Sequence, residues 1–211
     1  MKQRNTVLLV IDLQRDFCPG GSLAVSDGDQ TVPVVNLIAS KSRRVIATQD
    51  WHPHDHMSFA SNHPGKHIHD VVEVNGMKQV LWPVHCVQGT DGADFHPALN
   101  TDHFSLILRK GMDSRIDSYS AFQENDKKTN TGLEGYLRGL HVDHVYLCGL
   151  ATDYCVFYSA MDAVRLGFRV SVVIDACRGV NVPQGNIEKS LKKMKENAVA
   201  IINSSELLCR I

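Results

Sequence analysis

The apolar residues of this chain are concentrated in short runs that alternate with helical patterns, and this alternation constrains the fold more than any other feature. Six runs rich in β-branched residues occupy positions 6–11, 45–48, 104–108, 145–148, 170–174 and 199–202. Helical patterns lie at positions 32–41, 133–140, 153–166 and 186–197. Continuous apolar strands separated by helices are typical of a parallel sheet covered on both faces. The sequence therefore predicts an α/β fold with three layers (α-β-α) and a six-stranded, mostly parallel sheet.

One segment interrupts the alternation. Positions 50–103 are rich in Pro, Gly and His and have only a weak periodic pattern. A connection this long inside a compact domain is usually functional. No repeat or linker divides the 211 residues. We expect one domain over residues 1–211, with a long insertion at about 50–103 that binds a metal and a substrate.

Composition argues against two classes of partner and favours the cytoplasm. The formal net charge is −1 and no basic stripe is present, which argues against nucleic acid and anionic membranes as partners. The apolar run that begins at Val7 ends at Asp12 and is too short for a signal peptide, and no segment is long enough to span a bilayer. Six cysteines without a C-x-x-C pair fit a reducing compartment better than a disulfide framework.

Chemically useful residues follow the predicted strands. Asp12, Asp50 and Lys110 come directly after the first three strands, Cys155 shortly after the fourth, and Asp175 after the fifth. Parallel sheets bind ligands beyond the carboxyl ends of their strands, so these groups are expected to converge. Each has an ordinary alternative: a turn-forming aspartate, a solvated lysine or a half-buried core cysteine. Their joint occurrence favours a catalytic site.

Cys155 stands at the start of a helix, directly after the fourth strand. Free backbone N–H groups and the helix dipole at such a position are expected to lower the pKa of the thiol and to bind an oxyanion. A nearby Lys110 would favour the thiolate, and Asp12 would accept and return its proton. A histidine base remains an alternative, because the chain has eleven histidines.

A second constellation consists of Asp50, His52 and His85. Residues two apart on an extended segment project to the same side, and a distant histidine would complete a carboxylate-plus-two-imidazole set. Such a set suits Zn²⁺, Fe²⁺ or Mn²⁺. The alternative is a histidine-rich surface loop, since six histidines lie within eighteen residues: His52, His54, His56, His63, His67 and His69.

Four aromatic residues flank these polar groups in loops: Phe17, Trp51, Trp82 and Tyr119. Burial in the core is the usual fate of such side chains. Here they are also placed to wall a flat aromatic substrate by stacking.

The motifs resemble those of the nicotinamidase/pyrazinamidase branch of the isochorismatase-like cysteine hydrolases. The matching segments occur in family order and cover nearly the whole chain: DLQRDFCPGGSL from Asp12, TQDWHP from Thr48, WPVHCV from Trp82, KG from Lys110, DSYSAF from Asp117 and GLATDYCV from Gly149. Arg15 stands where the family usually has Asn. Positions 113–115 and 124–131 match nothing that we can interpret.

The resemblance implies a nicotinamide amidohydrolase that forms nicotinate and ammonia through a cysteine thioester, in NAD salvage, with pyrazinamide as a further substrate. It implies a cis peptide bond between Leu150 and Ala151, and one divalent transition metal ion, with zinc favoured over iron or manganese. It assigns a catalytic triad of Asp12, Lys110 and Cys155, and an oxyanion hole formed by the N–H groups of Ala151 and Cys155. It assigns the metal ligands Asp50, His52 and His85. It also assigns a ring pocket lined by Phe17, Trp82 and Tyr119. The roles of His56 and Gln14 stay open.

Two alternatives remain at this stage. One is another amide or ureide hydrolase of the same superfamily with a different pocket. The other is a non-catalytic redox or metal sensor in which Cys155 reports oxidation. Neither the oligomeric state nor the native metal follows from the sequence.

Overall fold

A computed structural model describes residues 5–74 and 76–211. It contains a six-stranded sheet and a two-stranded hairpin. The strands are β1 (Thr6–Ile11), β2 (Val45–Asp50), β3 (Val71–Val74), β4 (Met77–Val80), β5 (Phe104–Lys110), β6 (His144–Leu150), β7 (Arg169–Arg178) and β8 (Ala200–Ile202). The α-helices are α1 (Thr31–Lys41), α2 (Leu133–Gly139), α3 (Cys155–Arg165), α4 (Asn186–Glu196) and α5 (Ser204–Leu208).

The large sheet is parallel throughout and has the strand order β5-β2-β1-β6-β7-β8. From β1 the chain moves through α1 to β2 on one side, and from β6 it moves through α3 to β7 on the other. Because such crossovers are right-handed, opposite directions of travel place their helices on opposite faces. The predicted α/β fold with helices on both faces of a parallel sheet is confirmed.

Burial follows position in the sheet. The central strands β1, β2 and β6 are buried almost throughout, whereas the edge strand β5 alternates between partly buried and exposed residues. The strand order reverses between β1 and β6, and the carboxyl ends of parallel strands bind ligands at such a reversal. The fold therefore directs the ends of β1, β2, β5 and β6 toward one site.

Three elements differ from the sequence prediction. The hairpin of β3 and β4 lies inside the segment 50–103, where its short strands gave no clear alternation, and α5 is a further short helix. Strand β7 continues to Arg178, so Asp175 lies within the strand. The Asp175 carboxylate accepts hydrogen bonds from the backbone N–H of Ser204 at 2.8 Å and from its hydroxyl at 2.5 Å, which secures the start of α5.

Within the part of the chain that the structure describes, no helix combines the length and the apolar character needed to cross a membrane. Helices α1, α3 and α4 have 11 residues each. A transmembrane helix needs about 20 predominantly apolar residues.

The junction between β6 and the start of α3 depends on a close backbone approach at Gly149. Gly149 pairs with Ile11 of β1 and has φ of +110°. A Cβ atom at this position would lie 2.0 Å from the Ile11 carbonyl oxygen, closer than any side chain tolerates. The cis peptide bond that the resemblance implied is present between Leu150 and Ala151, directly after this approach.

Replacing Gly149 by alanine is expected to destabilise the protein by more than about 3 kcal/mol, because strain at a positive φ and a backbone collision act together. Gly135→Ala in α2 is the matched control. A Cβ atom there meets nothing within 4 Å, so this change is expected to be neutral or to stabilise by about 0.5–1 kcal/mol. Urea unfolding monitored by circular dichroism measures both variants, and equal stability of the two would contradict the packing argument.

Candidate active site

The ends of β1, β2 and β5 bring two carboxylates and an ammonium group together, and the start of α3 adds a thiol. Lys110 Nζ lies 3.0 Å from Asp12 Oδ2 and 3.6 Å from Cys155 Sγ, and it donates a very short hydrogen bond to Asp50 Oδ1. It also donates to the Ser118 carbonyl at 3.1 Å. Lys110 and Asp12 are fully buried. Asp12, Asp50, Lys110 and Cys155 therefore converge as expected from the strand ends. Asp175 does not join them, because its carboxylate binds Ser204.

Asp12 is oriented by Thr48. The Thr48 hydroxyl donates to Asp12 Oδ1 at 2.6 Å and accepts the backbone N–H of Asp12 at 3.3 Å. Asp12 Oδ2 forms the ion pair with Lys110 and has no other hydrogen-bond partner among the described residues. Ligating atoms of Asp12, Asp50 and Cys155 all lie within 4.8 Å of one another. One carboxylate oxygen of Asp12 is thus available to the thiol.

The pKa of the thiol is shifted upward, opposite to the sequence expectation. Burial raises the pKa of Cys155 well above its ordinary value; Lys110 opposes this shift, and Asp12 adds to it. Burial also raises the pKa of Asp12, against the influence of Lys110. The expectation of a lowered thiol pKa considered only the helix terminus. The structure adds desolvation and a neighbouring carboxylate, which outweigh it.

The two other charges in the cluster are firmly ionised. Burial alone would lower the pKa of Lys110, but the carboxylates of Asp12 and Asp50 raise it well above its usual value. Burial alone would raise the pKa of Asp50, but Lys110 and His52 hold it well below its usual range. An ammonium group shared by two carboxylates therefore lies 3.6 Å from the Cys155 sulfur. That arrangement supports proton transfer to a carboxylate during nucleophilic attack.

Ala151 and Cys155 line the cavity at the start of α3. The first N–H groups of an α-helix have no partner within the helix and can bind an anion. The geometry is compatible with the predicted oxyanion hole, which remains a prediction.

Asp50, His52 and His85 form a group that could hold a metal ion, because their ligand atoms lie within 4.8 Å of one another. Asp50 Oδ2 lies 3.5 Å from His52 Nε2 and 4.0 Å from His85 Nε2. The Nδ1 atoms of the two rings lie 2.9 Å and 2.7 Å from the backbone carbonyl oxygens of Gly111 and Pro83. Donation from Nδ1 fixes the tautomer that leaves the Nε2 lone pairs free toward Asp50. The donor set therefore fits a divalent transition metal.

His56 lies beside this group rather than within it. Its ring stacks on His52 at a centroid distance of 4.1 Å, and its nitrogens contact Ser58 Oγ and the Ile116 carbonyl oxygen. Burial lowers its pKa to about 4, and the neighbouring His52 acts in the same direction. His52 and His56 also form a metal-competent group with Asp117. Among the described residues, the other loop histidines belong to neither group: His54, His63, His67 and His69.

Gln14 holds the backbone of Asp50 from both sides. Its side-chain amide donates to the carbonyl oxygens of Asp50 and Ala93, each at 2.8 Å, and its Oε1 accepts the N–H of Asp50 at 2.8 Å. Gln14 is fully buried. Since Asp50 contacts both Lys110 and the histidines, Gln14 acts on the site through Asp50.

A cavity opens over these groups. The predicted ring-pocket residues Phe17, Trp82 and Tyr119 all line it. Trp51 does not, because its ring packs against the Arg109 guanidinium at 3.7 Å. The remaining lining residues are Leu23, Asp50, His52, His85, Asp117, Ala151, Tyr154, Cys155 and Val180. Aromatic side chains thus flank Cys155 and the metal-competent group.

Sequence reasoning missed four of the lining residues: Leu23, Asp117, Tyr154 and Val180. Tyr154 was accessible to it, because this residue immediately precedes the thiol in the motif that drew attention to Cys155. Val180 gave no local signal. It reaches the cavity because the Asp153 carboxylate accepts hydrogen bonds from the N–H groups of Val180 and Asn181, each at 2.9 Å.

Comparison with known proteins agrees with this architecture. The isochorismatase domain family model matches residues 6–206. The nicotinamidase of Acinetobacter baylyi is 46% identical over 209 residues, which cover 99% of this chain and 97% of that protein. A solved nicotinamidase/pyrazinamidase from Acinetobacter baumanii superposes with a TM-score of 0.95 at 48% identity, covering 97% and 98% of the two chains. A pyrazinamidase from Pyrococcus horikoshii, solved in complex with zinc, superposes with a TM-score of 0.77 at 36% identity, covering 94% and 99%.

Replacing Lys110 by methionine is expected to destabilise the protein by about 3–5 kcal/mol, because it leaves two buried carboxylates without their counter-charge. Arg169→Met is the control, since it removes an exposed ion pair with Asp143 and is expected to cost at most about 1 kcal/mol. Urea unfolding at neutral pH compares the two. A cost for Lys110→Met no larger than that of the control would argue against a buried charge cluster.

Proposed function

The chain belongs to the isochorismatase domain family, and within it we propose that the protein hydrolyses nicotinamide to nicotinate and ammonia. The observation that carries this function is a buried thiol, Cys155, that lies between the ion pair of Lys110 and Asp12 and an aromatic cavity. Identity of 46% over nearly the full length of a curated nicotinamidase gives the substrate. Pyrazinamide, which carries the same carboxamide on a similar six-membered nitrogen heterocycle, is expected to be a further substrate.

The reaction begins when Cys155 Sγ attacks the carboxamide carbon while its proton passes to Asp12. The N–H groups of Ala151 and Cys155 bind the oxyanion that forms on the carbonyl oxygen. Collapse of this intermediate breaks the C–N bond as Asp12 returns the proton to the departing nitrogen. Ammonia leaves, and a thioester remains on Cys155.

Water completes the cycle. Asp12, again a carboxylate, removes a proton from a water molecule as the oxygen attacks the thioester carbon. Collapse of the second tetrahedral intermediate breaks the C–S bond, and the proton held by Asp12 restores the thiol. The carboxylic acid leaves and releases its remaining proton to solvent as nicotinate. Throughout the cycle, the positive charge of Lys110 stabilises the carboxylate form of Asp12.

Asp50, His52 and His85 hold the metal in this proposal, and zinc is the ion we favour. A bound zinc ion would supply a Lewis acid for the ring nitrogen of the substrate and so orient its carboxamide. The chain itself orients the ring with Phe17 and the pair Trp82 and Tyr119, whose side chains are joined by a hydrogen bond of 3.1 Å.

We place the reaction in NAD salvage, because nicotinate is a precursor that salvage enzymes reuse. The nucleophile must stay reduced, and all six cysteines are free. A reducing compartment such as the cytoplasm meets that requirement.

Cys155→Ala is expected to lower ammonia release from nicotinamide by about 10³-fold or more, because no other group can form the thioester. The variant should unfold at nearly the wild-type temperature. Cys209→Ala, at an exposed position, is the control and should retain full activity. Ammonia is measured with nicotinamide beside a carbamoyl and a ureido compound. Near-normal turnover of nicotinamide by Cys155→Ala, or preference of the wild type for another amide, would refute the proposal.

Removal of metal with dipicolinate is expected to abolish nicotinamide hydrolysis, and Zn²⁺ should restore it. His85→Ala is expected to weaken zinc binding by more than about 100-fold, since loss of outer-shell partners alone costs 10–100-fold. His96→Ala is the control, because His96 belongs to neither histidine-containing group that could hold a metal. Its ring accepts a hydrogen bond from the backbone N–H of Ala98. Competition with a chromogenic chelator measures the zinc affinity. Equal affinity of the two variants would remove His85 from the ligand set.

A further inference from the structure

Residues 123–131, most of which the sequence left without interpretation, form a closed turn that we call the 123–131 hairpin. Gln123 and Asn130 form an antiparallel bridge, and the Gln123 side-chain amide donates to Asn130 Oδ1 at 2.9 Å. Within the turn, Asp126 Oδ1 accepts hydrogen bonds from two successive backbone N–H groups, each at 2.9 Å. These internal bonds give the hairpin a defined shape.

The 123–131 hairpin is attached to the outer side of α3, the helix that begins at Cys155. Lys127 Nζ lies 3.1 Å from Asp162 Oδ2, and Arg165 contacts both Asp162 and the Gln123 side chain. Asp162 is buried although its two partners are partly exposed. The hairpin therefore has a fixed position relative to the helix that carries the nucleophile.

From this position Asn125 reaches the segment that forms one wall of the ring pocket. Its backbone N–H donates to the Asp117 carbonyl at 2.8 Å, and its Oδ1 accepts the N–H of Tyr119 at 3.1 Å. The two bonds flank Ser118, whose carbonyl accepts the Lys110 ammonium. Residues 117–119 lie outside helices and strands, so these contacts take the place of a regular backbone ladder.

We propose that the 123–131 hairpin is a template for the ring pocket, and that Asn125 is a positioning residue that sets the place of Tyr119. The inference rests on the proposed function, because it concerns the pocket for the pyridine ring. Tyr119 in turn accepts a hydrogen bond from Trp82, so displacement of its backbone disturbs two walls of the cavity. Loss of the Asn125 side chain leaves the Tyr119 N–H without its acceptor. Substrate binding is affected more than the chemistry at Cys155.

The decisive variant is Asn125→Ala, compared with Asn36→Ala. Asn36 holds a distant loop with both ends of its side chain: its amide donates to the Ala98 carbonyl at 2.8 Å, and its Oδ1 accepts the N–H of Asn100 at 2.9 Å. The two asparagines are similarly half-buried. Both variants should lose a comparable amount of thermal stability, so stability alone does not separate them.

For Asn125→Ala we expect KM for nicotinamide and the inhibition constant for nicotinate to rise about tenfold, with kcat within about threefold of wild type. Asn36→Ala should leave all three constants unchanged. An unchanged KM in Asn125→Ala, or an equal rise in Asn36→Ala, overturns the proposal.

A second pair of variants, with less disruptive substitutions, tests the proposal if Asn125→Ala does not fold. Lys127→Met removes the anchor on Asp162 and should raise KM about twofold, whereas Lys128→Met, at an exposed neighbour in the same turn, should not. Equal KM values for this pair count against the template. A wild-type protein that neither hydrolyses nicotinamide nor binds nicotinate refutes the proposed function itself, whatever the variants do.

Discussion

The active site is organised around one buried ammonium group. Lys110 contacts Asp12, Asp50 and Cys155, and without it two carboxylates would be desolvated with no counter-charge. The sheet makes this arrangement possible. Asp50 and Lys110 are register partners at the ends of β2 and β5, and Asp12 follows β1, the next strand along. Cys155 arrives from the opposite side of β1 through β6 and the close approach at Gly149.

This geometry explains how much of the site could be predicted. A residue at the end of a buried parallel strand has its position set by the sheet, so Asp12, Asp50 and Lys110 were identifiable from the apolar runs before them. Val180 was not, because its position depends on a hydrogen bond to Asp153, which is distant in sequence. Asn125 was not, because its bonds to residues 117 and 119 lie in irregular backbone that no periodic pattern predicts. The hairpin of β3 and β4 escaped prediction for another reason: four-residue strands in an exposed insertion carry too little periodicity.

The pKa of Cys155 could not be predicted from its local sequence alone. A helix N-terminus favours a thiolate, and the position of Cys155 at such a terminus can be predicted from the sequence. Burial and the Asp12 carboxylate are tertiary effects, and together they raise the pKa of Cys155. A raised pKa favours the thiol form beside an adjacent proton acceptor. In the proposed mechanism the nucleophile is generated when the proton moves to Asp12 during attack, so Asp12 would serve both as the base and as the carrier of the proton to the leaving group.

Charge balance connects the triad to the metal-competent group. Asp50 directs Oδ1 to Lys110 and Oδ2 toward His52 and His85, so one carboxylate belongs to both. Two buried carboxylates and one ammonium leave a net negative charge in the cluster. An uncompensated buried charge is costly, and the Nε2 lone pairs of two histidines face the same oxygen. The excess charge and the donor atoms thus favour a cation at one place, beside the cavity proposed to receive the ring. If a metal binds there, Asp50 is the residue through which its occupancy and the electrostatics of Lys110 would depend on each other.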